Sequence, residues 1–329
     1  MKKLLAMVLA ITMSLSILPM AFAEEEKDPT IEEGYTVENE GYTSVVSWCK
    51  NGESNIYGKF YYPEGFDASR KYPVVIMSHG LGSRAEMVER AKWPQAVTEK
   101  GFIAYAFDFC GGGMNSLSDG DFMEMSVLTE ASDLNAVIDF VKDQPYVDIE
   151  NLFLLGQSQG GFVSALTAAS RPEEIKAMVL VYPALCLVDD LHSFIPDLNE
   201  VTGDTVETAM GTLGAVYARD AYDIDVMNEI AAYTGDVMII HGLNDKTVPY
   251  TYSLEAITTA YSAASSEFVL ITGKKSAHGF EMVYNEGRDY ALAAGSDFLS
   301  RHVGEEKLFK LHHCRICGSG AAVFIRRTG

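Results

Sequence analysis

Six short apolar runs, separated by longer stretches with helical periodicity, restrict this chain to a narrow set of architectures. The runs are Tyr72 to Met77, Phe102 to Phe107, Asn151 to Leu155, Ile175 to Tyr182, Asp236 to Ile240 and Glu267 to Ile271. Helical patterns lie near Ala85 to Lys100, Ser126 to Lys142, Gly160 to Ser170, Tyr252 to Ala264 and Gly287 to His302. Alternation of this kind marks an α/β fold, a mostly parallel sheet with crossover helices. The near-continuous Val, Ile and Leu of PVVIM and AMVLV suit strands covered on both faces, so helices are expected on either side of the sheet. Upstream, Thr43 to Trp48 and Asn55 to Tyr62 flank Lys50-Asn51-Gly52, the turn signal of an antiparallel hairpin.

One interval breaks the rhythm. Cys186 to Gly235 places about fifty residues between two strands, where a crossover needs only about a dozen. A cap inserted over the sheet accounts for them. The expected domain therefore runs over residues 43–303, with the cap at about 186–235. At 48% hydrophobic residues it has ample material for a core.

Outside these limits the sequence changes character. Lys2 and Lys3, the apolar run from Leu4 to Leu18, and Ala21-Phe22-Ala23 before a charge run make a secretory signal over residues 1–23, with cleavage after Ala23. The apolar run approaches the roughly 20 residues of a spanning helix, but Pro19 and the small-x-small site favour a removable signal. The expectation is a secreted protein with no stable membrane insertion. Residues 24–42 read as a solvated acidic arm, and 304–329 as a tail without structure. A net charge of -21 repels phosphate backbones and anionic lipid, which argues against nucleic acid as a partner. Cysteines at 49, 110, 186, 314 and 317 are odd in number and scattered, so no disulfide framework can be read. Within the tail, His312-His313-Cys314-Arg315-Ile316-Cys317 has the look of half a zinc site; without a second half, no metal is expected. Cys110 and Cys186 read as small buried hydrophobes.

The chemistry concentrates at Gly156-Gln157-Ser158-Gln159-Gly160-Gly161, which follows the strand NLFLL and precedes an Ala-rich helical pattern. That is the setting of a G-x-S-x-G nucleophile elbow. The turn is so tight that side chains at Gly156 and Gly160 would clash, and it presents Ser158 at the carboxyl edge of the sheet beside a helix N-terminus. A P-loop would end in G-K-[ST], which is absent.

A serine hydroxyl needs a base, and the base needs a third group to fix its tautomer. After Ser158, the strand DVMII leads to His241-Gly242-Leu243-Asn244-Asp245, and EFVLI leads to His278-Gly279-Phe280. Asp245 and His278 thus fall on loops at the same sheet edge, in the chain order Ser, Asp, His. Asp189 and Asp190 are alternatives for the acid. For the base the alternatives are His79, His192, His241, His312 and His313, of which His79 and His241 suit packed, hydrogen-bonded roles. Acyl transfer also needs oxyanion donors. The N–H of Gln159 is one candidate, and the N–H of Leu81, in Ser78-His79-Gly80-Leu81-Gly82, is the other.

Taken in order, HGLG, FDFCGGG, SDGDFMEMSVLTEASDLNAVIDFV, GQSQGG, HGLNDKTVP and AHGF resemble the bacterial cinnamoyl or feruloyl esterase branch of the α/β-hydrolases, from roughly Tyr57 to His302. The resemblance implies the α/β-hydrolase fold, a cap after the sixth core strand that forms the acyl pocket, and no cofactor. It implies Ser158, Asp245 and His278 as triad, with Leu81 and Gln159 as oxyanion donors. The implied substrates are small-molecule or polysaccharide-linked esters, such as hydroxycinnamates joined to plant cell walls. The triple glycine of FDFCGGG and the Asp-rich cap segment DDLHSFIPDLNE depart from the family pattern. Two other readings stand beside it: a prolyl-oligopeptidase-like serine peptidase, which shares the elbow and loops, and a non-catalytic hydrolase fold that only binds.

Overall fold

The computed structural model describes residues 29–113, 115–261, 265–304 and 322–327. The secretory signal and the His312 to Cys317 cluster lie outside the described residues. The alternating pattern folds as the sequence dictates. Strands β1 (Thr36–Asn39), β2 (Tyr42–Asn51), β3 (Ser54–Pro63), β4 (Tyr72–Ser78), β5 (Ile103–Phe107), β6 (Val147–Gln157) and β7 (Ala177–Val181) belong to one large sheet. Between them run helices α1 (Ala85–Arg90), α2 (Trp93–Thr98), α3 (Val127–Lys142) and α4 (Gln159–Ser170). The cap interval holds α5 (Leu187–Phe194), the hairpin β8 (Thr205–Thr208) and β9 (Gly211–Gly214), α6 (Ala215–Ala221) and α7 (Val226–Ile230). The chain returns to the sheet with β10 (Asp236–Gly242), α8 (Tyr250–Glu255), β11 (Ser266–Ile271), α9 (Glu286–Arg301) and β12 (Ala322–Arg327).

The strand order is β1-β2-β3-β5-β4-β6-β7-β10-β11-β12. The pairs from β5 to β11 are parallel, while β1, β2 and β3 at one side and β12 at the other pair antiparallel. Alternate residues of each central strand enter different cores. Ile76, Leu154, Leu180 and Ile239 join the cluster that includes α3 and α4, whereas Met77, Leu155, Val181 and Ile240 join the one with α1, α2 and α9. Both faces are thus covered, as PVVIM and AMVLV require.

Two boundaries differ from expectation at the sheet edges. The acidic arm is solvent-exposed but docked: β1 pairs with β2, and Trp48 donates its indole N–H to Ile31 O at 2.9 Å. The tail read as structureless supplies β12, paired antiparallel with β11 from Ala322↔Ile271 to Arg327↔Ser266. Its sequence AVFIRR has the β-branched and aromatic content of a strand, and an open sheet edge offers it a row of unpaired backbone groups.

Candidate active site

Ser158 sits between β6 and α4 with φ 52°, a left-handed conformation that L residues rarely adopt. Crowding by backbone explains the flanking glycines. A Cβ at Gly160 would lie 2.2 Å from His79 O, and one at Gly156 would lie 2.4 Å from Gly160 O. Strand, turn and helix are therefore locked together around the serine.

The three loop residues meet. His278 Nε2 lies 3.0 Å from Ser158 Oγ, and His278 Nδ1 lies 2.7 Å from Asp245 Oδ2. A carboxylate only accepts, so Nδ1 carries the proton and Nε2 is left to receive one from the serine. Asp245 is buried, which by itself raises a carboxyl pKa. Hydrogen bonds from His241, His278 and the Val248 N–H outweigh that burial and hold it well below the usual carboxylate range. Asp245 is thus an anion beneath an imidazole that is 25% exposed at its side chain.

The rival residues take other positions. His241 bridges Ser253 Oγ at 2.8 Å and Val248 O at 2.9 Å. His79 accepts the Phe109 N–H at Nε2 and donates from Nδ1 to Gly80 O at 2.8 Å, its basicity lowered chiefly by burial. Asp189 and Asp190 lie on the cap helix α5, where Asp189 accepts from Tyr252 and Asp190 from the Cys186 thiol. His192 packs on Tyr222. Cys186 is buried as expected, but Cys110 is only partly so.

His79 also shapes the candidate oxyanion loop. By holding the Gly80 carbonyl, it fixes the peptide plane whose N–H belongs to Leu81. Among the described residues, neither the Leu81 nor the Gln159 N–H is directed at a protein acceptor. Both residues line, with Ser158, a pocket of about 370 Å³. Its far walls come from the cap: Leu187, Leu191, Leu213 and Tyr217 are apolar surfaces, while Asp190 supplies a carboxylate.

Sequence reasoning missed the buried polar groups around the elbow. Gln159 Nε2 donates to Glu130 Oε2 at 2.9 Å, and Gln159 Oε1 accepts from Tyr217 OH at 2.6 Å. On the other side, Gln157 Nε2 donates to Glu281 Oε1 at 2.7 Å. Glu130 was findable: Val127, Glu130, Asp133, Leu134, Val137, Ile138 and Val141 share the buried face of α3, and a carboxylate in such a stripe calls for a partner. Glu281 and Tyr217 carry no such local mark.

The prolyl oligopeptidase family matches this chain over residues 90–306. Acetyl esterase Axe7A of Xylanibacter ruminicola is 30% identical over 224 residues, 60% of this chain and 48% of that protein. Monoglyceride lipase of Rattus norvegicus is 27% identical over 211 residues, 63% of this chain and 64% of its own length. The chain thus spans less than two thirds of the length of these curated relatives. Among solved structures, Est1E from Butyrivibrio proteoclasticus with bound ferulic acid aligns with TM-score 0.67 and 24% identity, covering 78% of this chain and 98% of that one. Acetyl xylan esterase from Paenibacillus sp. R4 aligns with TM-score 0.58 and 17% identity over 82% of this chain and 87% of its own. These likenesses establish the α/β-hydrolase fold expected from the motifs.

Proposed function

Given that the chain belongs to the prolyl oligopeptidase family of α/β-hydrolases, we propose that it is a serine hydrolase that cleaves carboxylic esters through an acyl-enzyme on Ser158. The observation that carries this reading is the Ser158–His278–Asp245 hydrogen-bonded line, with contacts of 3.0 and 2.7 Å. Ser158 Oγ attacks the ester carbonyl as His278 Nε2 takes its proton, and Asp245 stabilises the imidazolium that results. Charge developing on the carbonyl oxygen is met by the N–H groups of Leu81 and Gln159; loss of one such donor costs about 10²–10³ in rate. His278 returns the proton to the departing alcohol, and water releases the acid by the same route.

The acyl group we propose is aromatic, of the hydroxycinnamate class, such as ferulate or p-coumarate. Apolar walls with a carboxylate from Asp190 suit a flat ring bearing a hydroxyl donor, and the fold alignment with a ferulate-bound chain agrees in direction. The leader at residues 1–23 supports export, where cell-wall esters are met. Family membership itself favours a second reading, a peptidase. Labelling with a fluorophosphonate followed by parallel assays on methyl ferulate, p-nitrophenyl acetate and an X-Pro amide tests these points. The expected result is labelling lost in Ser158→Ala and ester turnover with no amide turnover. A fully active Ser158→Ala variant overturns the acyl-enzyme, and amide cleavage at rates matching the ester overturns the esterase.

A further inference from the structure

We infer that Glu281 is a positioning residue for the base: its carboxyl ties the His278 loop to the residue before the nucleophile and to the ring that supports the imidazole. Glu281 lies three residues beyond His278, in a short 3-10 turn (Phe280–Met282), and is wholly buried. Its Oε1 accepts two hydrogen bonds, from Gln157 Nε2 at 2.7 Å and from Tyr182 OH. Gln157 is the last residue of β6 and immediately precedes Ser158. Tyr182 follows β7, and its ring lies against the His278 imidazole with centroids 4.4 Å apart. One oxygen therefore joins the strand that delivers the serine, the loop that delivers the histidine and the ring that backs the histidine.

Two further observations agree. Tyr182 has φ 38°, a left-handed conformation in a non-glycine residue, and such a conformation persists only where its surroundings over-determine it. The hydrogen bond to Glu281 and the packing on His278 supply that constraint. Burial pushes the Glu281 carboxyl up, against the hydrogen bonds from Tyr182, its own backbone N–H and Gln157 that hold it down. Its other oxygen, Oε2, finds no partner among the described residues. A buried, half-satisfied carboxyl is costly to keep. Its three-way tie at the reacting pair gives that cost a function, because a displacement of about 1 Å between reacting groups can cost about 10²-fold in rate.

The inference rests on the acyl-enzyme reading, and the two fail differently. Reactive serines are first titrated with a fluorophosphonate probe; an unlabelled wild-type chain overturns the acyl-enzyme itself. With labelling in hand, kcat per titrated site and KM are measured on a p-nitrophenyl ester. Glu281→Leu, which removes the acceptor, is expected to lower kcat per site by about 10²-fold with KM within about threefold. Glu281→Gln, which retains an acceptor oxygen, is expected to recover most of that loss. A protein merely loosened by the change loses titratable sites while each remaining site keeps its kcat. Wild-type kcat per site in Glu281→Leu overturns the inference, as does a loss confined to KM or one equally deep in Glu281→Gln. Should Glu281→Leu fail to fold, Tyr182→Phe decides: it keeps the ring on His278 and drops the hydroxyl, with an expected loss of roughly 5- to 10-fold in kcat per site. Unchanged turnover there overturns the inference.

Discussion

Gln159, the residue after Ser158, donates its side-chain amide to Glu130 at 2.9 Å, and both side chains are buried. Burial pushes the Glu130 carboxyl up from 4.5 to about 8, against the Gln159 hydrogen bond. An acid whose folded pKa is raised holds its proton in the folded state after the unfolded chain has lost it. Its contribution to stability is therefore complete below about pH 4.5 and is lost as pH rises toward about 8. Glu130→Gln removes the titration and keeps an acceptor for Gln159. Unfolding free energies from urea titrations should fall from pH 5 to pH 8 for the wild type, by on the order of a few kcal/mol, and fall distinctly less for the variant. Equal slopes would remove Glu130 as the source.

Asp245→Asn leaves the shape of the site but offers an amide where an anion accepted the Nδ1 proton of His278. The imidazole then settles in the wrong tautomer and its cation loses its counter-charge. Steady-state assays should find kcat lower by about 10⁴ with the fold retained by circular dichroism. A loss of tenfold or less would place the acid elsewhere.

Gly160→Ala sets a methyl carbon 2.2 Å from the His79 carbonyl oxygen, and that neighbour is backbone with no rotamer to escape into. The elbow must open. A destabilisation of about 3 kcal/mol, or a Tm lower by roughly 10 °C, is expected by calorimetry together with loss of fluorophosphonate labelling. Wild-type labelling in a folded variant would contradict the close packing of strand, turn and helix.

Ala184→Phe projects a ring toward the pocket that Ala184 lines with Ser158 and Leu187. If the chamber holds an aromatic acyl group, kcat/KM on methyl ferulate should fall at least about tenfold while p-nitrophenyl acetate stays within about threefold. Parallel losses on both esters would mean that the aromatic group lies elsewhere.

The elbow and its partners were legible because each is written locally. Gly156 and Gly160 bracket Ser158 within one motif, and the strand before each of Ser158, Asp245 and His278 announces itself by a short apolar run, which puts all three at one sheet edge. The long helix near Ala85 to Lys100 was less legible: it divides into α1 and α2, with Lys92 between them at φ 72°. Pro94, in the first turn of α2, has no N–H to carry a helix on from α1 and so marks the break, a local signal that the continuous reading passed over. The hairpin of β8 and β9 was hidden for another reason, since four-residue strands with mixed exposure carry too little alternation to read. The ties of Gln157 to Glu281 and Gln159 to Tyr217 join residues 124 and 58 positions apart. Neither leaves a periodic trace, because a hydrogen bond across the fold needs only one donor and one acceptor.

The cap leaves the chain after β7 and rejoins it at β10, whereas the loops that converge on the serine follow β6, β10 and β11. Exchange of that one stretch would replace the cap walls of the pocket and leave Ser158, Asp245 and His278 on their scaffold. The bond from Tyr217 to Gln159 sets the condition on such trades. An incoming insert must bring its own donor to the buried Gln159 side-chain carbonyl, or leave an orphaned oxygen beside Ser158.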